Sequence, residues 1–122
     1  MENRKWIVGV DLGGTNISVG VLPIEGGEVL ALRTLPTEAN RGAKFVVDRI
    51  VSMVEEAIGE VLDQFGGDRT DFAGVGIGSP GPLDRKTGTV ISTPNLGWRN
   101  FPLRDLISNA VWLPATLDND AN

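Results

Sequence analysis

The sequence predicts a mixed α/β fold, with strands and helices in the order βββαβαβ. Short apolar runs beside the glycine pairs Gly13-Gly14 and Gly26-Gly27 indicate a three-stranded meander. A long stretch with apolar residues at three- and four-residue spacing indicates an amphipathic helix. A further strand, a short helix and a last strand follow. The predicted strands are 6–10, 17–22, 29–35, 72–77 and 115–117, and the predicted helices are 41–65 and 102–109.

Single residues predict where these elements begin, end and pack. Asn40 is expected to cap the long helix, and Gly66-Gly67 to end it. Gly59, inside the helix, costs up to about 1 kcal/mol relative to Ala and is expected to mark close packing. The segment 84–92 is expected to form a small hairpin or loop. The loop 94–98 carries Trp98, either as a core anchor or as a wall of a ligand site.

The composition of the chain excludes several classes of function. The chain has 122 residues, enough for one domain, and a net charge of −5 without a basic face. A general nucleic-acid surface is therefore not expected. The sequence contains no Cys and no His, which excludes disulfides, thiolate metal sites and a histidine base within this chain. No stretch has the length of a transmembrane helix, and the strand pattern from Trp6 leaves no room for a signal peptide, so a cytoplasmic location is expected.

The first candidate site is Asp11-Leu12-Gly13-Gly14-Thr15-Asn16. Glycines at such a turn let the backbone approach a bulky anion, and exposed N–H groups can hold phosphate oxygens. A carboxylate nearby can hold Mg²⁺. The alternative is a type I′ Gly-Gly hairpin that binds no ligand.

The second candidate is Gly76-Ile77-Gly78-Ser79-Pro80-Gly81, which has the spacing G-x-G-x-x-G. A dinucleotide site requires a helix to begin there, and Pro82, Thr87 and Gly88 disfavour one. The segment is interpreted instead as a stiff loop. It is either a plain turn or a rigid shelf for a polar small molecule.

The third candidate is Asp118-Asn119-Asp120, directly after the last predicted strand. In α/β proteins ligands bind outside the carboxyl ends of the strands. If the strands are parallel, Asp11, the 78–81 loop and Asp120 share one edge of the sheet. The alternative for Asp118 or Asp120 is a helix N-cap.

Together these segments resemble the ROK family of sugar kinases, over nearly the whole chain from Val8 to Asn122. The resemblance implies the actin-like ATPase fold, with two ribonuclease-H-like lobes, of which residues 1–122 form the N-terminal lobe. Asp118 departs from the pattern, because many members have Glu there. The matching segments are 11–16, 76–84, 94–98 and 118–122.

The resemblance also implies residue roles. Asp120 matches the catalytic base, and Asp11 lies where Mg²⁺ would bind. A second phosphate loop, an adenosine pocket and a zinc motif are expected after Asn122. ATP-binding residues implied by the resemblance are Asp11, Gly13, Gly14 and Thr15, and sugar-binding residues are Gly78, Ser79, Pro80, Gly81, Asn119 and Asp120.

The activity implied is ATP-dependent phosphorylation of a hexose, with glucose converted to glucose 6-phosphate in glycolysis by a homo-oligomeric parent protein. The chain by itself is expected to be inactive. One alternative is a sugar-responsive ROK regulator, disfavoured because regulators carry a winged helix before this lobe. Another is a non-catalytic sugar-binding lobe. The identity of the hexose, and ATP or polyphosphate as donor, stay open.

Overall fold

A computed structural model describes residues 4–93 and 96–119 of the chain. Eight strands and two α-helices make up this part, with 3₁₀ turns at Ala39–Arg41 and Arg69–Asp71. The elements are β1 (Trp6–Leu12), β2 (Asn16–Pro23), β3 (Leu30–Pro36), α1 (Ala43–Phe65), β4 (Phe72–Ser79), β5 (Leu83–Asp84), β6 (Thr89–Thr93), β7 (Trp98–Phe101), α2 (Leu103–Val111) and β8 (Ala115–Asn119).

The main sheet has five strands in the order β3-β2-β1-β4-β8. The first three strands pair antiparallel, as a meander. Strands β4 and β8 join on the other side of β1, and β1, β4 and β8 run parallel. The predicted mixed sheet is therefore confirmed, and the carboxyl ends of β1, β4 and β8 lie at the same edge.

A second, antiparallel sheet of three strands, β5-β6-β7, is inserted between β4 and α2. The predicted hairpin at 84–92 corresponds to β5 and β6. Strand β7 was not predicted, because its four residues, Trp98–Phe101, give only one buried position and no alternation of polar and apolar residues.

The core lies between one face of the main sheet and the two helices. Strand β1 alternates regularly, with every second side chain buried from Trp6 to Leu12. Each fully buried Val, Leu or Ile contributes roughly 1.5–3 kcal/mol relative to an exposed side chain. Helix α1 buries Val46, Val47, Ile50, Met53, Val54, Ala57, Ile58 and Val61.

The opposite face of the sheet is open in the described part of the chain. Gly20, Gly9 and Gly76 lie side by side on β2, β1 and β4, so the middle of this face has no side chains of its own, and Val29 and Leu32 lie against Gly20. A shallow groove of about 230 Å³ runs over it, bordered by Leu22 and Leu32 among others. We call this surface the bare face.

Three sequence predictions about the elements are wrong in detail. Helix α1 begins at Ala43, and Asn40 lies in a 3₁₀ turn, because Gly42 at φ 102° interrupts the helical conformation. Gly66 ends the helix as predicted. Gly59 does not mark close packing, since a Cβ there would meet no atom within 4 Å.

Neither helix in residues 4–93 and 96–119 combines the length and hydropathy needed to span a membrane.

Candidate functional site

The candidate site lies at the edge where β1, β4 and β8 end. Asp11 on β1 pairs with Gly78 on β4, and Gly78 pairs with Asp118 on β8. Residues in one row of a sheet point to the same face, so both carboxylates lie on the face opposite α1. Two strand spacings place their Cα atoms about 10 Å apart. Gly78, which has no side chain, lies between the two carboxylates in this row.

The loop from Gly13 to Asn16 joins β1 to β2 beside Asp11. The Gly13 N–H donates to the carbonyl of Asn16 at 2.9 Å. The predicted alternative of a type I′ turn is wrong, because neither Gly13 nor Gly14 has a positive φ. A Cβ at Gly13 would lie 3.2 Å from the Asn16 carbonyl oxygen, so the turn is too tight for a side chain there without adjustment.

Thr37, just after β3, holds this loop from the inside and was not singled out from the sequence. It is fully buried. Its hydroxyl donates to the Gly13 carbonyl at 2.7 Å, and its backbone N–H donates to the Thr15 carbonyl at 2.8 Å. The register of β2 against β3 places residue 37 opposite residue 15, and the apolar pattern of the sequence does not specify this register.

Gly78 and Ser79 of the predicted 78–81 loop form the end of β4, and the segment is tightly held, as the interpretation of a stiff loop predicted. Gly81 has φ 115°, and a Cβ there would lie 2.7 Å from the Ser92 carbonyl oxygen. Ser79 is buried, and its hydroxyl donates a hydrogen bond to the Pro80 carbonyl at 3.2 Å. No helix follows Gly81, because the chain enters β5 instead. The prediction that no helix begins after Gly81 is therefore confirmed.

The end of β8 is tied to this loop and to the small sheet. The Asn119 side-chain amide donates to the Gly81 carbonyl at 3.3 Å. Asp118 lies within β8, so the predicted N-cap alternative is wrong for that residue. Arg85 donates to Asp118 Oδ1 from Nε at 2.8 Å and lies 2.7 Å from it at Nη2. The Arg85 guanidinium, and then the Asn119 N–H, lower the pKa of Asp118 below its ordinary value.

The predicted catalytic base, Asp120, lies outside the described residues, as do Pro94 and Asn95 of the Trp98 loop. Trp98 itself is buried, and its ring centroid lies 4.4 Å from that of Phe101. The prediction that Trp98 anchors the core is confirmed. Within residues 4–93 and 96–119, no three Asp or Glu side chains lie close enough together to hold a metal ion. Asp11 is the exposed carboxylate beside the glycine loop.

The fold and this edge define an α/β lobe of the ribonuclease-H-like kind, as in the actin-like ATPases. A family model, described as the ROK family, matches residues 7–122. The chain belongs to the ROK family.

Two curated relatives show how broad this family is. A glucokinase of Halalkalibacterium halodurans is 35% identical over 118 residues, which cover 97% of this chain and 34% of the relative. A putative xylose repressor of a Caldicellulosiruptor species is 32% identical and is matched over 99% of this chain and 29% of its own length. This chain thus spans about a third of the length of the curated relatives that it matches.

A solved structure supports the same family assignment. The ROK family glucokinase from Streptomyces griseus, in complex with glucose and AMPPNP, is 38% identical with a TM-score of 0.79. The match covers 96% of this chain and 34% of that chain. The predicted fold class is confirmed, and kinship with sugar kinases is established at the level of the family.

Proposed function

We propose that residues 1–122 form the N-terminal lobe of a cytoplasmic, ATP-dependent hexose kinase that converts glucose to glucose 6-phosphate. The observation that carries the proposal is the meeting of three motifs at one sheet edge. Asp11, the 78–81 loop and the end of β8 come from three parallel strands in one register. The name of the similar Streptomyces griseus structure, a glucokinase with glucose and AMPPNP, supports the choice of substrates.

In this proposal the two sides of the edge have different tasks. The loop of Gly13, Gly14 and Thr15 receives phosphate oxygens on its N–H groups. The loop residues Gly78, Ser79, Pro80 and Gly81, together with Asn119, border the sugar. Asp120 accepts the proton of the attacking hydroxyl. Phosphoryl transfer is largely dissociative, so positioning and charge neutralisation supply most of the rate.

Asp11 fits the role of magnesium ligand in chemistry and position. Mg²⁺ in phosphoryl-transfer sites is bound through one or two carboxylates plus the substrate phosphates, so a single exposed carboxylate beside the loop is sufficient. When bound, the ion neutralises charge on the phosphates. Asp11 would hold the ion beside the glycine loop, and the N–H groups of that loop would help to neutralise the charge on the same phosphates.

The test is the variant Asp120→Asn in the intact protein. Loss of a general base is expected to lower kcat for glucose by about 10²- to 10⁴-fold, with a smaller change in glucose affinity. Turnover is measured by coupled detection of glucose 6-phosphate, and affinity by calorimetry. Asp63→Asn, on the exposed side of α1, is the matched control. Parental turnover in Asp120→Asn contradicts the assignment of the base.

A second candidate function is sugar-responsive regulation of transcription. The 32% identity to a putative xylose repressor over 99% of this chain favours it. The intact protein would then shift an operator DNA fragment in a sugar-dependent manner and would not phosphorylate glucose. A gel-shift assay run beside the kinase assay separates the two functions, since each predicts one positive result.

A further inference from the structure

We propose that Thr37 is a positioning residue that orients the N–H groups of the Gly13–Asn16 loop for binding the phosphates of the nucleotide. The inference rests on the proposed kinase function and assigns a role to a residue outside every motif. Thr37 is fully buried and does not border the open edge itself. Its effect therefore passes through the backbone of the loop.

Two hydrogen bonds fix the direction of the loop carbonyls. The Thr37 hydroxyl holds the Gly13 carbonyl at 2.7 Å, and the Thr37 N–H holds the Thr15 carbonyl at 2.8 Å. The Gly13 N–H in turn holds the Asn16 carbonyl at 2.9 Å. Three of the four carbonyls in the loop are thus bonded to protein, so their negative ends are turned away from a bound anion.

Because the carbonyl groups are held, the geometry of the peptide group also sets the direction of the N–H groups. In a planar trans peptide the C=O of one residue and the N–H of the next point in opposite directions. Holding the Gly13 carbonyl on the buried Thr37 therefore points the Gly14 N–H away from the interior. The same argument applies to the Thr15 carbonyl and the Asn16 N–H. These are the N–H groups that a phosphate would meet.

The hydroxyl matters because glycine has the largest backbone freedom of any residue. Without the bond to Thr37, the peptide between Gly13 and Gly14 is free to rotate, and the Gly13 carbonyl competes for the space of the anion. Preorganised N–H groups bind charge more tightly than groups that must first be ordered. The Thr37 hydroxyl thus restrains the Gly13-Gly14 peptide of the candidate phosphate loop.

The test compares Thr37→Val, which keeps the shape and the backbone N–H, with Thr37→Ser, which keeps the hydroxyl. Calorimetry of the intact protein measures the affinity for Mg²⁺·AMPPNP and, separately, for glucose. Thr37→Val is expected to weaken AMPPNP about 10-fold or more, because charge-assisted hydrogen bonds lose their alignment. Thr37→Ser is expected to restore the affinity, and glucose affinity is expected to stay unchanged in both variants.

Thr34→Val is the matched control, because it removes a hydroxyl of β3 that bonds Ser18 at 2.8 Å outside the loop. Equal AMPPNP affinity in wild type and Thr37→Val overturns the inference, and so does equal weakening in Thr37→Val and Thr37→Ser. Amide resonances of wild-type Gly14 and Asn16 provide a measurement that needs no variant. They are expected to shift on addition of AMPPNP, and unshifted resonances overturn the inference.

The proposed function and this inference fail in different ways. If the wild-type protein binds glucose but no AMPPNP, the kinase function fails and the inference with it. If the wild-type protein binds both and Thr37→Val changes neither affinity, only the role of Thr37 is wrong.

Discussion

Arg85 and Asp118 lie 33 residues apart and form an ion pair that joins the small sheet to the end of β8. Both side chains are about two-thirds exposed, so the pair adds little to overall stability. The pair matters for the candidate site because of its position, since Asp118 directly precedes Asn119 and the predicted base, Asp120. The pair restrains the strand end that the proposed function requires to be well placed.

This pair predicts a dependence of stability on pH. The pKa of Asp118 is lowered from 3.8 on folding, so its contribution is present above pH 3.8 and is lost as the pH falls through the folded pKa. Asp118→Asn is expected to lower the urea midpoint slightly at neutral pH, and the difference in midpoint from wild type is expected to narrow as the pH falls below 3.8. Asp63→Asn serves as control. A gap that does not depend on pH contradicts the ion-pair origin.

The sequence identified some residues of the edge and missed others for a physical reason. Asp11 and Asn119 sit in local motifs at strand ends, and such motifs are visible in one short segment. Thr37 and Arg85 act through partners that lie far away in the chain, at Gly13 and Asp118. Their roles depend on strand register and on the placement of an inserted hairpin, which periodicity does not specify.

At the scale of elements, β4 and the loop after it are packed against their neighbours without spare room. A Cβ at Gly74 would lie 2.7 Å from the Pro114 carbonyl oxygen, and one at Gly81 would lie 2.7 Å from that of Ser92. The first close approach holds β4 against the residue before β8, and the second holds the 78–81 loop against β6. Glycine in the candidate site is thus required by the packing of the neighbouring strands, as well as by the proposed contact with a ligand.

A matched pair of glycine substitutions tests this interpretation. Gly81→Ala combines φ 115° with a steric clash and is expected to cost about 1–3 kcal/mol of unfolding free energy. Gly59→Ala, in open space within α1, is expected to gain about 0.5–1 kcal/mol. Urea unfolding of the chain measures both changes. An unchanged midpoint in Gly81→Ala would mean that the loop relaxes without cost.

The helices illustrate which element properties can be read from sequence. The end of α1 at Phe65 was predicted correctly, and buried positions repeat every three or four residues on one face from Val46 to Val61. Its start was predicted two residues early, because the backbone angle of Gly42 and not a polar cap decides it. Helix ends depend on single dihedral angles, whereas helix faces depend on many residues.

At the scale of the whole molecule, the bare face is an apolar surface that does not belong to the core. A sheet with parallel strands normally has both faces covered. Here α1 covers one face, while the other shows glycines flanked by Leu22, Val29 and Leu32, the last of which is 65% exposed. An exposed apolar surface of this kind favours binding of further apolar groups.

The bare face predicts how the 122-residue chain behaves in isolation. The chain is expected to bind a hydrophobic dye such as ANS, and Leu32→Gln is expected to reduce the fluorescence markedly with little loss of stability. Leu106→Gln on α2, away from this face, is the control and is expected to change the signal less. Equal effects of the two variants would show that the dye does not report on the bare face.

The sequence by itself determined the fold class, the long helix and the three motifs at strand ends, since these follow from periodicity and from residues adjacent in the chain. Tertiary structure alone decided that β1, β4 and β8 run parallel in one register. It also decided which buried hydroxyl holds the glycine loop and which arginine meets Asp118. The physical reason is that local patterns fix which face of an element is buried. Contacts between distant residues depend instead on how whole elements are aligned.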